Sequence, residues 1–475
     1  MRFLFVTYCF GAWNGQALIG VYKRGLRVAM ELSARGHHVD FFCTGRQAYS
    51  DRLTEAAEQC MSFVDIPFSV ESSGAAEEVR RGMLREIAAL RPDVVVVGEA
   101  PLAGAMMEAA FCAIELGIPL AVLDNAYRPD LVDRFCRVHG ALADGLVLTG
   151  PSSFHTPRPP AYLCQVPAFV ELADEDEIGR ALAEMGLSGE KLITVLAYDE
   201  KVERLGTSLL PRLAADGVEA AFLSRDPERC RERIAALPES ARSRAGVGGI
   251  PEDRVLFGLI RRARLAVAKY GFMQVSECLS LQTPVIAVYY EGPRWLEYLP
   301  SRCRPATHGT AEPEAGDETV ATARRLLELP PEQMHGVHDG TVDAAVRSAD
   351  FLVGLRRRTA DEVRSACREL GLDLPAVSRA LGAHLGRPAR PVEVRAVRSR
   401  DLPGGELHSV VCRWQEGARQ GSVRLWARRY ETRRAAWRER RAVRRGAPDR
   451  QLLDAPLLRR HLVELDAGQA RLPPL

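Results

Sequence analysis

Residues 265–288 constrain the fold of this chain more than any other stretch. They read Leu-Ala-Val-Ala-Lys-Tyr-Gly-Phe-Met-Gln-Val-Ser-Glu-Cys-Leu-Ser-Leu-Gln-Thr-Pro-Val-Ile-Ala-Val. The first four residues form a short apolar run suited to a buried parallel strand. Tyr270-Gly271 marks a tight turn, because a residue without Cβ lets the backbone bend or lets a ligand come close. Phe272, Val275, Cys278 and Leu279 step at three and four, so one helical face is apolar. Thr283-Pro284 stops the helix, and 285–288 reads as the next strand. The spacing predicts strand, turn, helix, strand in a parallel α/β sheet.

That geometry has a chemical use. Parallel α/β sheets bind ligands beyond the carboxyl ends of their strands. A helix starting there offers unpaired N–H groups and a positive dipole end to an anion. Lys269 stands at this helix start. Glu277 lies one to two turns inside, on the face of Gln274, where a carboxylate can accept two hydrogen bonds from a ribose diol. The same residues also suit a solvated helix glutamate and a plain turn glycine.

Gly271-x-x-x-x-Ser276-Glu277-x-Leu279-x-x-x-x-Pro284 resembles the nucleotide-sugar signature in the second domain of GT-B glycosyltransferases. The likeness is to the branch that includes the N-acetylglucosaminyl transferase of peptidoglycan synthesis. The resemblance implies that Glu277 binds the nucleotide ribose and that Gly271 and Phe272 face the diphosphate. Nucleotide-sugar epimerases and hydrolases of the same fold carry related motifs.

A chain of 475 residues suggests two or three domains. The net charge of +2 does not mark the whole molecule as a polyanion binder. Eleven scattered cysteines without a C-x-x-C pair point to a reducing, cytoplasmic setting rather than a disulfide frame or zinc site. The opening apolar run is too short for a signal peptide, and none reaches the roughly 18 residues of a membrane span.

Residues 1–168 read as the first domain. Residues 3–7 are a buried strand, and a helix follows to about Arg35 with Tyr22, Leu26, Ala29 and Leu32 on one side. The loop between them holds Gly11, Gly15 and Gln16 but no G-x-G-x-x-G, so no dinucleotide fingerprint is present. The resemblance assigns Gly15 and Gln16 to acceptor or diphosphate contact; many relatives place a histidine in this loop, where Gln16 cannot take a proton. Strands at 94–97 and 120–123 end in Glu99 and in Asp124-Asn125. Each carboxylate suits a cap or turn, or a general base for an acceptor hydroxyl. Asp124 ranks first, since Leu-Asp-Asn-Ala resembles the family segment with a cleft-facing Asn, which gives Asn125 an acceptor contact. A last strand is expected at 145–148, and the proline-rich 151–167, with His155, reads as a connector.

Residues 169–355 repeat the βαβ logic. Where relatives usually carry Gly-Gly-Ser, this chain has Ala197-Tyr198-Asp199, and an aspartate there would repel a phosphate. By resemblance Ile250 lies against the base, and Glu291 and Arg294 meet the donor sugar. No Asp-x-Asp pair ends a strand, so neither a metal nor another cofactor is expected.

Residues 356–475 lie beyond the resemblance. Two helices are expected at 359–384, then three strands. From 391 to 450 sixteen arginines face seven acids, 16 − 7 = +9, which suits an anionic surface or partner as well as a solvated helix face. The whole reads as two Rossmann-like domains facing a cleft, the GT-B fold, with a basic α+β extension. The expected activity is inverting, metal-independent transfer from a nucleoside-diphosphate sugar to a small-molecule or lipid acceptor. A non-catalytic partner protein and a nucleotide-sugar hydrolase or epimerase are the alternatives.

Overall fold

The computed structural model describes residues 1–8, 19–44, 52–65, 76–98, 104–125, 139–150, 159–269, 272–288, 306–330, 343–369, 372, 374–386, 390–402, 405–416, 419–430 and 462–465.

The first sheet is built from β1 (Arg2–Tyr8), β2 (His38–Thr44), β3 (Ser62–Asp65), β4 (Val94–Gly98), β5 (Leu120–Asn125), β6 (Gly145–Thr149) and β7 (Leu163–Val166). Its helices are α1 (Ile19–Ala34), α2 (Arg52–Glu58), α3 (Ala76–Leu90) and α4 (Gly104–Leu116). All seven strands run parallel in the order β3-β2-β1-β4-β5-β6-β7. β4 and β5 are buried along their whole length, which is why they read as unbroken apolar runs rather than alternating ones.

The second domain repeats the plan. It holds α5 (Glu175–Glu184), β8 (Leu192–Val195), α6 (Glu200–Leu213), β9 (Glu219–Ser224), α7 (Pro227–Ala235), α8 (Glu239–Arg242) and β10 (Ala245–Gly249). Then come α9 (Asp253–Arg262), β11 (Leu265–Lys269), α10 (Phe272–Ser280), β12 (Val285–Val288), β13 (Thr307–Thr310) and α11 (Asp317–Leu327). The sheet order is β10-β9-β8-β11-β12-β13, again all parallel. Counted within each domain, the sheets run 3-2-1-4-5-6-7 and 3-2-1-4-5-6, with order reversing between the first and fourth strands.

Two differences from the expected plan have local causes. The proline-rich connector contains a strand: β7 pairs with β6, so β6 is not last. At the sheet edge an irregular, proline-flanked four-residue strand is tolerated. β10 is rich in glycine, which depresses strand propensity, yet its Gly246 lets the chain pass under α5. A Cβ there would stand 2.6 Å from the Met185 carbonyl oxygen.

α12 (Ala344–Val353) crosses back onto the first domain. Ala344, Ala349 and Leu352 join the β1–β2 core, and Asp350 pairs with Arg35, the residue after α1. The C-terminal region has α13 (Ala360–Glu369), α14 (Leu374–Leu385) and a sheet of β14 (Arg390–Leu402), β15 (Gly405–Glu416), β16 (Arg419–Tyr430) and β17 (Leu462–Leu465). The first three strands are antiparallel and β17 lies parallel to β16.

This region docks on residues 139–144 of the first domain, where each main-chain carbonyl from 140 to 143 accepts a hydrogen bond from it. Arg358 donates to the carbonyls of Gly140 and Ala143, the Ala396 amide to Ala141, and Arg395 to Leu142 at 2.9 Å. Asp144 accepts from Arg395 at 2.7 Å, from the Arg358 amide at 2.8 Å and from the Leu120 amide at 2.9 Å. The extension is thus fastened to the first sheet, and part of its positive charge is spent inside the molecule. The arginines at 433–445 lie outside the described residues. Among the described residues no helix is long and apolar enough to cross a membrane.

Candidate functional site

The order reversal in the second sheet sits between β8 and β11, and the segments leaving those two strands hold the motif residues. After β8 come Ala197, Tyr198 and Asp199, then α6. Asp199 is the N-cap of α6 and accepts from the Lys201 amide at 3.1 Å and the Val202 amide at 3.2 Å. The residue that would repel a phosphate therefore fills the anion position of this helix with its own carboxylate. Tyr198 is half-buried, with Arg225 over its ring at 5.7 Å from the centroid.

After β11 the chain enters α10, as the motif predicts. Lys269 ends the strand, half-buried, and Phe272 begins the helix. Val275, Cys278 and Leu279 are buried with no exposure, which turns Gln274 and Glu277 to the other side. The Gln274 Oε1 atom is buried with no hydrogen-bond partner. Glu277 is half-buried. Burial first, and then Asp253, push its carboxyl up to about 8, against the pull of Arg27, Lys23 and Arg24. Burial, then Glu277 and Asp253, push the Tyr198 hydroxyl up as well.

Those cations come from the other domain. Lys23, Arg24 and Arg27 lie on α1, with 23 and 27 one turn apart on one face. Asp253, the first residue of α9, accepts from Lys23 Nζ at 2.9 Å and from Arg27 Nη2 at 2.8 Å. Arg27 also donates to the Phe169 carbonyl at 2.9 Å and lies over the Phe257 ring at 5.3 Å. Glu277 thus sits where α1, α9 and the switch-point strands converge. Sequence reasoning passed over Lys23, Arg24, Arg27 and Asp253. Three cations in five residues were the available signal, but a solvated helix face looks the same.

The carboxyl ends of the first sheet differ from expectation. Asp124 is not an open carboxylate: it is 2% exposed, with Oδ2 at 3.2 Å from Nε2 of His139, itself 1% exposed. Asn125 is 2% exposed and accepts from Arg24 Nη1 and from Thr149 Oγ1, the latter at 2.7 Å. Instead of facing an acceptor, Asn125 ties α1 to β5 and β6. No sequence pattern marked His139. Ile250, just past β10, is 39% exposed. Glu99, Gly15, Gln16, Gly271, Glu291, Arg294 and His155 lie outside the described residues, as do the side chain of Phe272 and the 431–461 run.

No protein-family model matches the sequence, and no curated protein matches it. Solved structures do resemble its backbone. The UDP-GlcNAc 2-epimerase of Neisseria meningitidis, bound to UDP-GlcNAc, is 13% identical over 74% of this chain and 100% of its own, with a TM-score of 0.51. MurG of Acinetobacter baumannii is 14% identical over 74% of this chain and 99% of its own, with a TM-score of 0.49. The glycotransferase of kitacinnamycin is 14% identical over 74% and 98%, also at 0.49. At these identities the likeness is one of fold. Two parallel sheets that share the 3-2-1-4-5-6 order, the first with a seventh strand, together with the likeness to the epimerase, give this chain the GT-B architecture, carrying a mostly antiparallel C-terminal sheet.

Proposed function

We propose that this chain is a glycosyltransferase that moves a sugar from a nucleoside-diphosphate sugar to a small-molecule or lipid acceptor by inversion and without a metal. The observation that carries the reading is the position of Glu277. It stands on the helix leaving the central strand of the second sheet, among charged groups of both domains. There its carboxyl can take the ribose diol, while the first turn of α10, with Lys269 and Gln274, receives the diphosphate. Gly271, Phe272, Ile250, Glu291 and Arg294 complete the donor site in this proposal, and Gly15 and Gln16 the acceptor side.

Inversion requires one displacement at the anomeric carbon, with a base taking the acceptor proton. Glu99 fills that role in this proposal.

A second reading has one observation of its own. Asp199 already occupies the α6 amides, which favours a protein that binds a sugar nucleotide without transferring it. Saturation-transfer NMR against uridine, guanosine and thymidine diphosphates tests binding. Glu277→Ala should weaken the preferred nucleotide at least tenfold, and unchanged affinity would remove the basis of the proposal. Donor turnover without acceptor then separates a hydrolase from a transferase, and no turnover with any acceptor supports the binding protein.

A further inference from the structure

A cavity of about 660 Å³ opens where the end of α4, the 357–360 connection and the third sheet meet. That volume falls in the range of small-molecule sites. Its inner wall is cationic. Arg357 and Arg413 donate to the same oxygen, Oε2 of Glu393, Arg413 at 3.0 Å. Two guanidinium groups share one acceptor atom, and each keeps further N–H donors. The other Glu393 oxygen is taken by Arg395 at 2.8 Å.

With the buried pair behind the wall included, Arg357, Arg358, Arg395 and Arg413 face Glu115, Glu393 and Asp144, 4 − 3 = +1. Burial is the main influence holding the Arg357 guanidinium below its ordinary value. Glu393 opposes it, and Arg413 and Arg395 add to it. Gly117, with φ of +77°, leaves room for this wall: a Cβ there would stand 2.6 Å from Arg357 Nη1.

The mouth is apolar. Leu116 is 39% and Val392 42% exposed, and both line the cavity. Trp414 adds an indole face; a Cβ on Gly421 would come within 3.0 Å of its ring, so nothing projects between them. Part-buried guanidinium donors beside more exposed apolar side chains fit a ligand with one anionic group on an apolar body.

We infer that this cavity binds an amphipathic anion, a carboxylate or phosphate monoester carried on an apolar chain or ring. The anionic group meets Arg357 and Arg413, and the apolar part runs along Leu116, Val392 and Trp414. A soluble metabolite and a membrane lipid offer the same chemistry, and the experiment separates them.

The full chain is titrated calorimetrically with inorganic phosphate, decanoate and decyl phosphate below their micelle concentrations, and sedimented with phosphatidylglycerol vesicles. Decyl phosphate and decanoate should bind at least tenfold more tightly than inorganic phosphate, and Arg413→Gln should weaken them at least tenfold. Val392→Asp changes an exposed rim residue, so its unfolding midpoint should hold while affinity for both amphiphiles falls at least tenfold. Vesicle binding that decyl phosphate displaces and Val392→Asp abolishes points to a lipid source. Binding of the soluble amphiphiles alone points to a free small molecule. The inference is overturned by no binding of either amphiphile, by equal affinity for phosphate and decyl phosphate, or by undiminished binding to a folded Val392→Asp chain.

Discussion

At the scale of single residues, Glu277 carries the sharpest consequences. With its carboxyl at about 8, it is mostly protonated in the free chain at neutral pH. Accepting two hydrogen bonds from a ribose diol requires the ionised form. Nucleotide affinity should therefore rise roughly tenfold from pH 7 to pH 9 for a group titrating near 8, and Glu277→Gln should remove the slope. Binding isotherms that stay flat or fall with pH in the wild-type chain would contradict the ribose role. The folded chain holds this proton up to about 8 while an unfolded one releases it near 4.5. Glu277's contribution to stability is thus full below about 4.5 and lost as the pH rises through 8. Asp199 makes a separate prediction. Asp199→Ala removes a helix cap and should cost about 1 kcal/mol in chemical denaturation. It also frees the α6 amides for an anion, so diphosphate affinity should increase while stability falls. A matched loss of both would mean that the carboxylate serves the fold alone.

At the scale of elements, the close seat of α6 on the second sheet decides where Tyr198 and Asp199 stand. A Cβ on Gly206 would come within 2.7 Å of Val195 and 2.9 Å of Phe222. Gly206→Ala should therefore push the helix off the sheet, cost about 1–3 kcal/mol at the denaturation midpoint, and weaken nucleotide binding with it. A variant with unchanged midpoint and affinity would show that the helix has slack. Long apolar strands such as β4 and β5 were readable from composition and length alone. β7 and β10 were not, because an edge strand needs no apolar run and a glycine strand has no side chains to announce it. The α10 motif was readable because its helix period and its breakers agree.

At the scale of the whole molecule, the C-terminal region is fastened to the first domain. Arg395 is 1% exposed and bridges Asp144 of the first domain to Glu393 of β14. Removing it takes a charged donor from two buried carboxylates that keep their other donors, so Arg395→Met should cost about 1.5–3 kcal/mol. The loss should appear in a single unfolding transition, followed by tryptophan fluorescence and by circular dichroism. A variant that loses only the fluorescence transition would make the third sheet an independent appendage. The count of +9 left an anionic partner and a solvated face both open, because charge counting along a chain cannot see that Arg395 turns inward.

What the sequence determined by itself is local and periodic: two βαβ series, a helix start after β11, and Glu277 on its polar side. Those follow from residue spacing and from proline and glycine breakers, which act within a few residues. Tertiary structure alone decided that Asp124 is closed off against His139, that Asn125 is engaged by Arg24, and that α1 brings three cations to Glu277. It also decided that arginines of the extension hold residues 139–144. Each of these pairs residues far apart along the chain, and their meeting depends on how sheets and helices pack, which no short-range pattern encodes.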